Sequence, residues 1–176
     1  MDRSLPGAGH RGRTAGPRAD RLLRREGASG QRRAAKGEHT QAIGRSRGGR
    51  STKIHALTDR GCRPIAFLLT GDQVAECKAG PVLLERRPPC KVLHADKGYN
   101  KDAIRHQANK ALPNVPAKSS KRWKPCFSPV LYRGRNAIER MFCRLKDFRR
   151  VATRYDRLAS NFMATICIAA TVSYWL

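Results

Sequence analysis

Ser51-Thr52-Lys53-Ile54-His55-Ala56-Leu57-Thr58, the turn formers Asp59-Arg60-Gly61, and the run Pro64-Ile65-Ala66-Phe67-Leu68-Leu69-Thr70 set the fold class. Two apolar, β-branched runs separated by turn residues predict a β-hairpin. Reading downstream, residues 76–85 form a plausible short helix. Cys90-Lys91-Val92-Leu93-His94-Ala95 predicts a third strand that delivers Asp96 at its carboxyl end, and Lys97-Gly98-Tyr99 turns the chain. A helix is expected over 101–111 with Asn100 as its cap, a short strand over 114–118, and a basic loop over 119–130. A long helix over 135–155 and a final helix over 158–175 complete the chain. Hairpin, strand–helix–strand and then long helices describe an α/β protein with a mixed sheet. Ligand sites in such sheets lie beyond the carboxyl ends of strands, where Asp96 stands.

Upstream of the hairpin the texture changes. Residues 1 to about 50 are rich in Arg, Gly and Ala, with no aromatic and almost no large apolar residue. Such a stretch cannot bury enough surface to offset the entropy of ordering, so a disordered basic tail is expected there. The whole chain of 176 residues carries 37 Lys+Arg against 13 Asp+Glu, a formal net charge of +24. That excess repels itself unless a polyanion is near, and nucleic acid is the natural partner. The six cysteines, at 62, 77, 90, 126, 143 and 167, form no CxxC pair and no zinc-like spacing; they are expected to be reduced packing residues. No apolar leader core is visible at the N-terminus. The run 162–176 is apolar but too short to span a bilayer, so a buried terminal helix is expected and a membrane is not.

The segment that carries chemistry is Tyr132-Arg133-Gly134-Arg135-Asn136-Ala137-Ile138-Glu139-Arg140-Met141-Phe142-Cys143-Arg144-Leu145-Lys146. On a helix Arg135, Glu139 and Lys146 share one face, with Tyr132 just N-terminal to it. Ile138, Met141, Phe142, Leu145 and Phe148 form a neighbouring core-facing stripe. Two readings of Glu139 stand side by side. One is an ordinary i,i+4 surface pair with Arg135, worth a few tenths of a kcal/mol. The other pairs Glu139 with Asp96 as hard-oxygen ligands for Mg²⁺ or Mn²⁺, with Arg135 and Lys146 on phosphates. Asp59 and Asp72 sit beside glycines at turns and are read as turn residues. His55 and His94 are read as packed or edge histidines. Trp123 suits either stacking on a base or docking on the core.

Tyr132-x2-Arg135-x3-Glu139-x6-Lys146 resembles the Tyr-Arg-Glu-Lys signature of the DDE transposases of bacterial insertion sequences. His94-Ala95-Asp96-Lys97-Gly98-Tyr99 is similar to the segment around that family's second catalytic Asp. Gly44-Arg45-Ser46-Arg47-Gly48-Gly49 with Ser51-Thr52-Lys53-Ile54-His55, and Trp123-Lys124-Pro125, also resemble it. The resemblance covers roughly residues 38–176. It implies an RNase H-like mixed sheet with flanking helices. Asp96 and Glu139 would be the second and third acids of a catalytic triad and would hold Mg²⁺ or Mn²⁺. Tyr132, Arg135 and Lys146 would contact transposon-end DNA. The reaction implied is hydrolysis at the element's ends, then attack of the freed 3′-hydroxyl on target DNA. A homodimer assembled on DNA, in a bacterial cytoplasm at the nucleoid, goes with it.

The first acid of that triad is not recognisable. Asp20 is near the implied distance, but Pro17-Arg18-Ala19 precedes it and Arg21-Leu22-Leu23-Arg24 follows, with neither an apolar run before nor a Ser or Thr after. Asp2 fits no better. Residues 1–37 are therefore read as a basic tail unrelated to the family, as in a truncated or frame-shifted member. Residues 38–176 are read as a partial catalytic domain, and the first central strand is expected to be missing or degenerate. Two functional readings follow: an impaired metal-dependent transposase, and an inactive DNA-binding remnant. A small RNA-binding protein is a weaker third, since no RNA-recognition motif or aromatic platform is visible.

Overall fold

The sheet is built around Gly49–Thr58 (β3), whose residues from Ser51 to Thr58 are all buried. In the computed structural model, residues 21–29, 41–46, 49–108 and 111–176 are described, the first of these stretches by its backbone. β3 pairs antiparallel with Pro64–Gly71 (β4), so the expected hairpin is present. Asp59 closes its loop: one carboxylate oxygen accepts from the Arg63 N–H at 2.9 Å and the other from its Nε at 3.0 Å. A short strand, Gly44–Ser46 (β2), pairs antiparallel with the start of β3, from Gly44 opposite Ser51 to Ser46 opposite Gly49.

On its other edge β3 pairs antiparallel with Arg21–Ser29 (β1), from Leu22 opposite Thr58 to Ser29 opposite Ser51. β1 in turn pairs parallel with Val92–Ala95 (β5), and β5 pairs parallel with Leu112–Asn114 (β6). Of the two expectations for the first central strand, missing or degenerate, the first is corrected: a strand runs between β3 and β5. Its side-chain pattern gives no sign of this, but pairing needs only backbone groups. The facing edges of β3 and β5 present rows of N–H and C=O that a proline-free segment can satisfy. The remainder of the expected tail, with Asp2 and Asp20, lies outside the described residues.

Two cores flank the sheet. Along β3 and β4 the side chains alternate, as a period of two requires. Ile54, Ala56 and Phe67 join one cluster; Leu57 and Ala66 join the other. The first core is closed by Asn136–Lys146 (α4), Arg149–Ala152 (α5) and Ala159–Tyr174 (α6) through Ile138, Met141, Phe142, Leu145, Val151, Phe162 and Ile166. The second is closed by Glu76–Glu85 (α1) through Leu83 and Leu84, by Asp102–Gln107 (α2) through Ile104, and by Tyr99 from the turn between them.

Several boundaries differ from expectation for identifiable reasons. The predicted helix over 135–155 is broken at Phe148, whose ψ of 105° is extended, and ends at Ala152. Thr153 is extended too, which turns Arg154 into the interior. The loop read over 119–130 ends early, because Ser128 and Pro129 begin a helical turn, Pro129–Tyr132 (α3). Asn100 does not cap α2; Lys101 stands at that position, while the Asn100 amide donates to the Pro116 carbonyl. α6 buries one face only: Ile168 and Val172 are exposed on the other. Among the described residues no helix is long and apolar enough to cross a membrane.

Candidate active site

Asp96 follows directly on β5 and leads a 3₁₀ turn, Lys97–Tyr99, closed by the Tyr99 N–H on the Asp96 carbonyl at 2.9 Å. The strand end is fixed from below, since Leu93, His94 and Ala95 are buried. Opposite it, α3, a 3₁₀ turn over Arg133–Arg135 and α4 run on without a break. The buried stripe of α4, at i, i+3, i+4 and i+7, anchors this run to the sheet; each such side chain contributes roughly 1.5–3 kcal/mol. That anchoring leaves the neighbouring face, with Arg135 and Glu139, turned toward Asp96.

One guanidinium joins the acids. Arg135 Nη1 donates to Asp96 Oδ1 at 3.0 Å and Nη2 lies 2.7 Å from Glu139 Oε1. The Tyr132 hydroxyl donates to the same Asp96 oxygen at 3.2 Å, and its ring lies under the Arg135 guanidinium, 5.3 Å from it. The i,i+4 pair of the plainer reading of Glu139 thus exists, and the same arginine also holds the strand-end acid. Asp96, Arg135 and Glu139 side chains remain 25%, 26% and 34% exposed, open enough for a ligand to reach. Lys146 lies on the same helix, about 10 Å of rise beyond Glu139.

A cavity of about 290 Å³ beside Asp96 is lined by Glu76, Lys97, Gly98, Tyr132 and Arg135 as well. Glu76 escaped the sequence reading. It sits in the first turn of α1, and the nearly buried Lys53 ammonium lies 3.8 Å from its carboxylate and 3.9 Å from that of Asp72. Gly98 lets this side chain approach closely: a Cβ there would lie 1.8 Å from Glu76 Oε2, so the glutamate would have to move aside. No spacing rule links residues 53, 76 and 98, so only the folded chain brings them together.

The remaining candidates separate cleanly. His55 is fully buried, its ring nitrogens 2.6 Å from the Tyr99 hydroxyl and 2.7 Å from the Thr70 hydroxyl. His94 is buried beside Asn114. Both are packed, as expected. Trp123 is 83% exposed and does not dock on the core. Register adds a further point. Leu23 pairs with Ala95, so the next residue of β1 level with Asp96 is Arg24. The acid of β1 is Glu26, opposite Ile54 and farther along the strand. Among the described residues no group of three or more His, Cys, Asp or Glu side chains is arranged to hold a metal ion.

The chain is 28% identical over 129 residues to a protein of Brucella ovis named as a transposase for insertion sequence element IS6501; the alignment covers 72% of this chain and 98% of that one. The family model described as the transposase DDE domain matches residues 12–174, beginning inside the basic N-terminal stretch. That match spans most of the chain, and the chain belongs to the transposase DDE domain family.

Proposed function

We propose that this transposase acts as a metal-dependent DNA nuclease and strand-transfer enzyme at the ends of a bacterial insertion sequence, with activity impaired at the first acid. The observation that carries the reading is the Arg135 fork, which gathers Asp96 and Glu139 from a strand and a helix far apart in sequence. The sheet order, with β1 antiparallel to β3 and parallel to β5, supports an RNase H-like fold. Two carboxylates on one fork are hard oxygen donors and suit Mg²⁺ or Mn²⁺ in kind. Asp96 and Glu139 would hold such an ion, which supplies activation of an attacking oxygen and charge stabilisation in phosphoryl transfer. The chain's own part is positioning. Arg135 and Tyr132 hold the acids in place and, with Lys146, present donors to the phosphates of a DNA end. Trp123, exposed on a basic loop, would stack on a base. The basic residues before about 38 add sequence-independent affinity for phosphates, and assembly as a homodimer on two DNA ends at the nucleoid follows from this role.

Impairment is argued from register. A third carboxylate is wanted from β1, since Glu76, the other acid on this cavity, is paired with Lys53, and β1 brings Arg24 level with Asp96 instead. The same observation favours a second reading, an inactive remnant that binds DNA without cutting it. Both are tested by incubating DNA that carries the flanking element's terminal inverted repeat with the protein and Mg²⁺ or Mn²⁺, comparing wild type with Glu139→Gln. Slow nicking in wild type, abolished in Glu139→Gln, supports the enzyme. Steeply salt-dependent binding with no nicking by either protein supports the remnant. Nicking that survives Glu139→Gln would sink the assignment of this site.

A further inference from the structure

The placement of the Tyr132–Arg135 clamp depends on a residue outside it. Asn114 ends β6, is 3% exposed, and stands opposite His94 in the β5–β6 register, two residues before Asp96. Its side-chain Oδ1 accepts from the Ser128 N–H at 2.8 Å, and its Nδ2 donates to the Ser128 carbonyl at 3.1 Å. The same Nδ2 lies 3.2 Å from His94 Nδ1. The amide therefore pairs with the Ser128 backbone as one rung of a strand ladder would. Ser128 is the cap of α3: its hydroxyl accepts from the Leu131 N–H at 3.4 Å, with Pro129 at the first helical position. Tyr132 and Arg135 follow within two turns, and both end on Asp96 Oδ1. Between Asn114 and Ser128 the chain is irregular. Asn114 is thus the point at which the returning chain is pinned back beside the strand that carries Asp96.

We propose that Asn114 is a positioning residue of this site: through Ser128 it fixes where Tyr132 and Arg135 meet Asp96, and so where a phosphodiester of the DNA end is held. The proposal rests on the reading of the Asp96–Arg135–Glu139 cluster as the DNA-end site. A core asparagine that only filled space would be coupled to overall stability and not to Arg135.

The test is a double-mutant cycle on the full chain, titrating duplex DNA that carries the terminal inverted repeat with wild type, Asn114→Leu, Arg135→Ala and the double variant. Asn114→Leu is expected to weaken binding about tenfold in wild type and by no more than about twofold when Arg135 is already absent. Equal losses in both backgrounds, or no loss in wild type, overturn the proposal. Backbone hydrogen exchange on the free proteins reads the same point without DNA. Faster exchange confined to residues 131–139, with α6 still protected, is the expected result; acceleration throughout the chain overturns it. Asn114→Asp keeps the acceptor for the Ser128 N–H and replaces the leucine variant if that one does not fold. Should wild type bind end and scrambled duplexes equally, the DNA-end reading fails, while the exchange comparison still decides the role of Asn114.

Discussion

Arg154 is the largest fully buried side chain in the molecule's described residues, and it pairs with backbone more than with acid. Its Nε donates to the Asp156 carbonyl at 2.9 Å, and Nη2 donates to the carbonyls of Gln41 and Arg157 at 3.0 and 3.1 Å. Nη1 donates to the Thr52 hydroxyl at 2.5 Å. The guanidinium also lies 5.0 Å over the Phe162 ring. Burial pulls its pKa below the ordinary arginine value and the Asp156 charge opposes that, yet an arginine stays charged under any ordinary condition. One side chain thereby ties the segment before β2, the strand β3 and the start of α6 together. Arg154→Met is expected to cost about 3 kcal/mol or more, because several buried acceptors lose their donor at once. Arg154→Lys should recover only part of this, since an ammonium cannot span the same set of acceptors. Urea unfolding of the three proteins measures both; a methionine variant as stable as wild type would show that the staple contributes nothing. No pattern in the sequence marks it: Arg154 stands in a basic run like Arg149 and Arg150, and only the extended Thr153 reveals its direction.

At the scale of elements, α4 was the most legible part of the chain. Ile138, Met141, Phe142 and Leu145 recur at helical spacing, and all are buried; Phe148, read as the next member of the stripe, lies past the end of α4 and is exposed. Helical period alone also placed Arg135 and Glu139 on one face, which the 2.7 Å pair confirms. Phe142→Ala is expected to lower stability by about 3–5 kcal/mol through the cavity it leaves. Val130→Ala, on an exposed position of α3, should change it by less than about 0.5 kcal/mol. Thermal unfolding distinguishes the two, and equal effects would show that the stripe does not bear the core as described. Where the elements end was less legible. The break at Phe148 and the early start at Ser128 answer to tertiary demands, the first to the inward turn of Arg154 and the second to the Asn114 amide. Ser128-Pro129 does carry a local signal, a capping hydroxyl followed by proline at the first helical position, but it lies within a segment whose tryptophan, prolines and charges read as loop.

At the scale of the whole molecule, the sheet decides what the site can do. β1 lies between β3 and β5, and its register sets Arg24 level with Asp96. If the missing carboxylate limits the reaction, Arg24→Asp should raise Mn²⁺-dependent nicking of end DNA by about tenfold or more, a first ligand mattering at least as much as an outer one. It should also raise Mn²⁺ affinity measured by calorimetry, whereas Arg24→Ala should do neither. Unchanged nicking and unchanged metal affinity in Arg24→Asp would mean that this register position is not where the acid is needed. The high positive charge, the hairpin, the α4 stripe and the acids Asp96 and Glu139 were determined by the sequence itself, because composition and periodicity are local properties. The central strand, the Arg135 fork, the Glu76–Gly98 contact and the Asn114 tether were decided only by tertiary structure. Each joins residues distant in the chain, through backbone pairing that no side-chain pattern encodes or through close approaches that exist only once both cores have closed on the sheet.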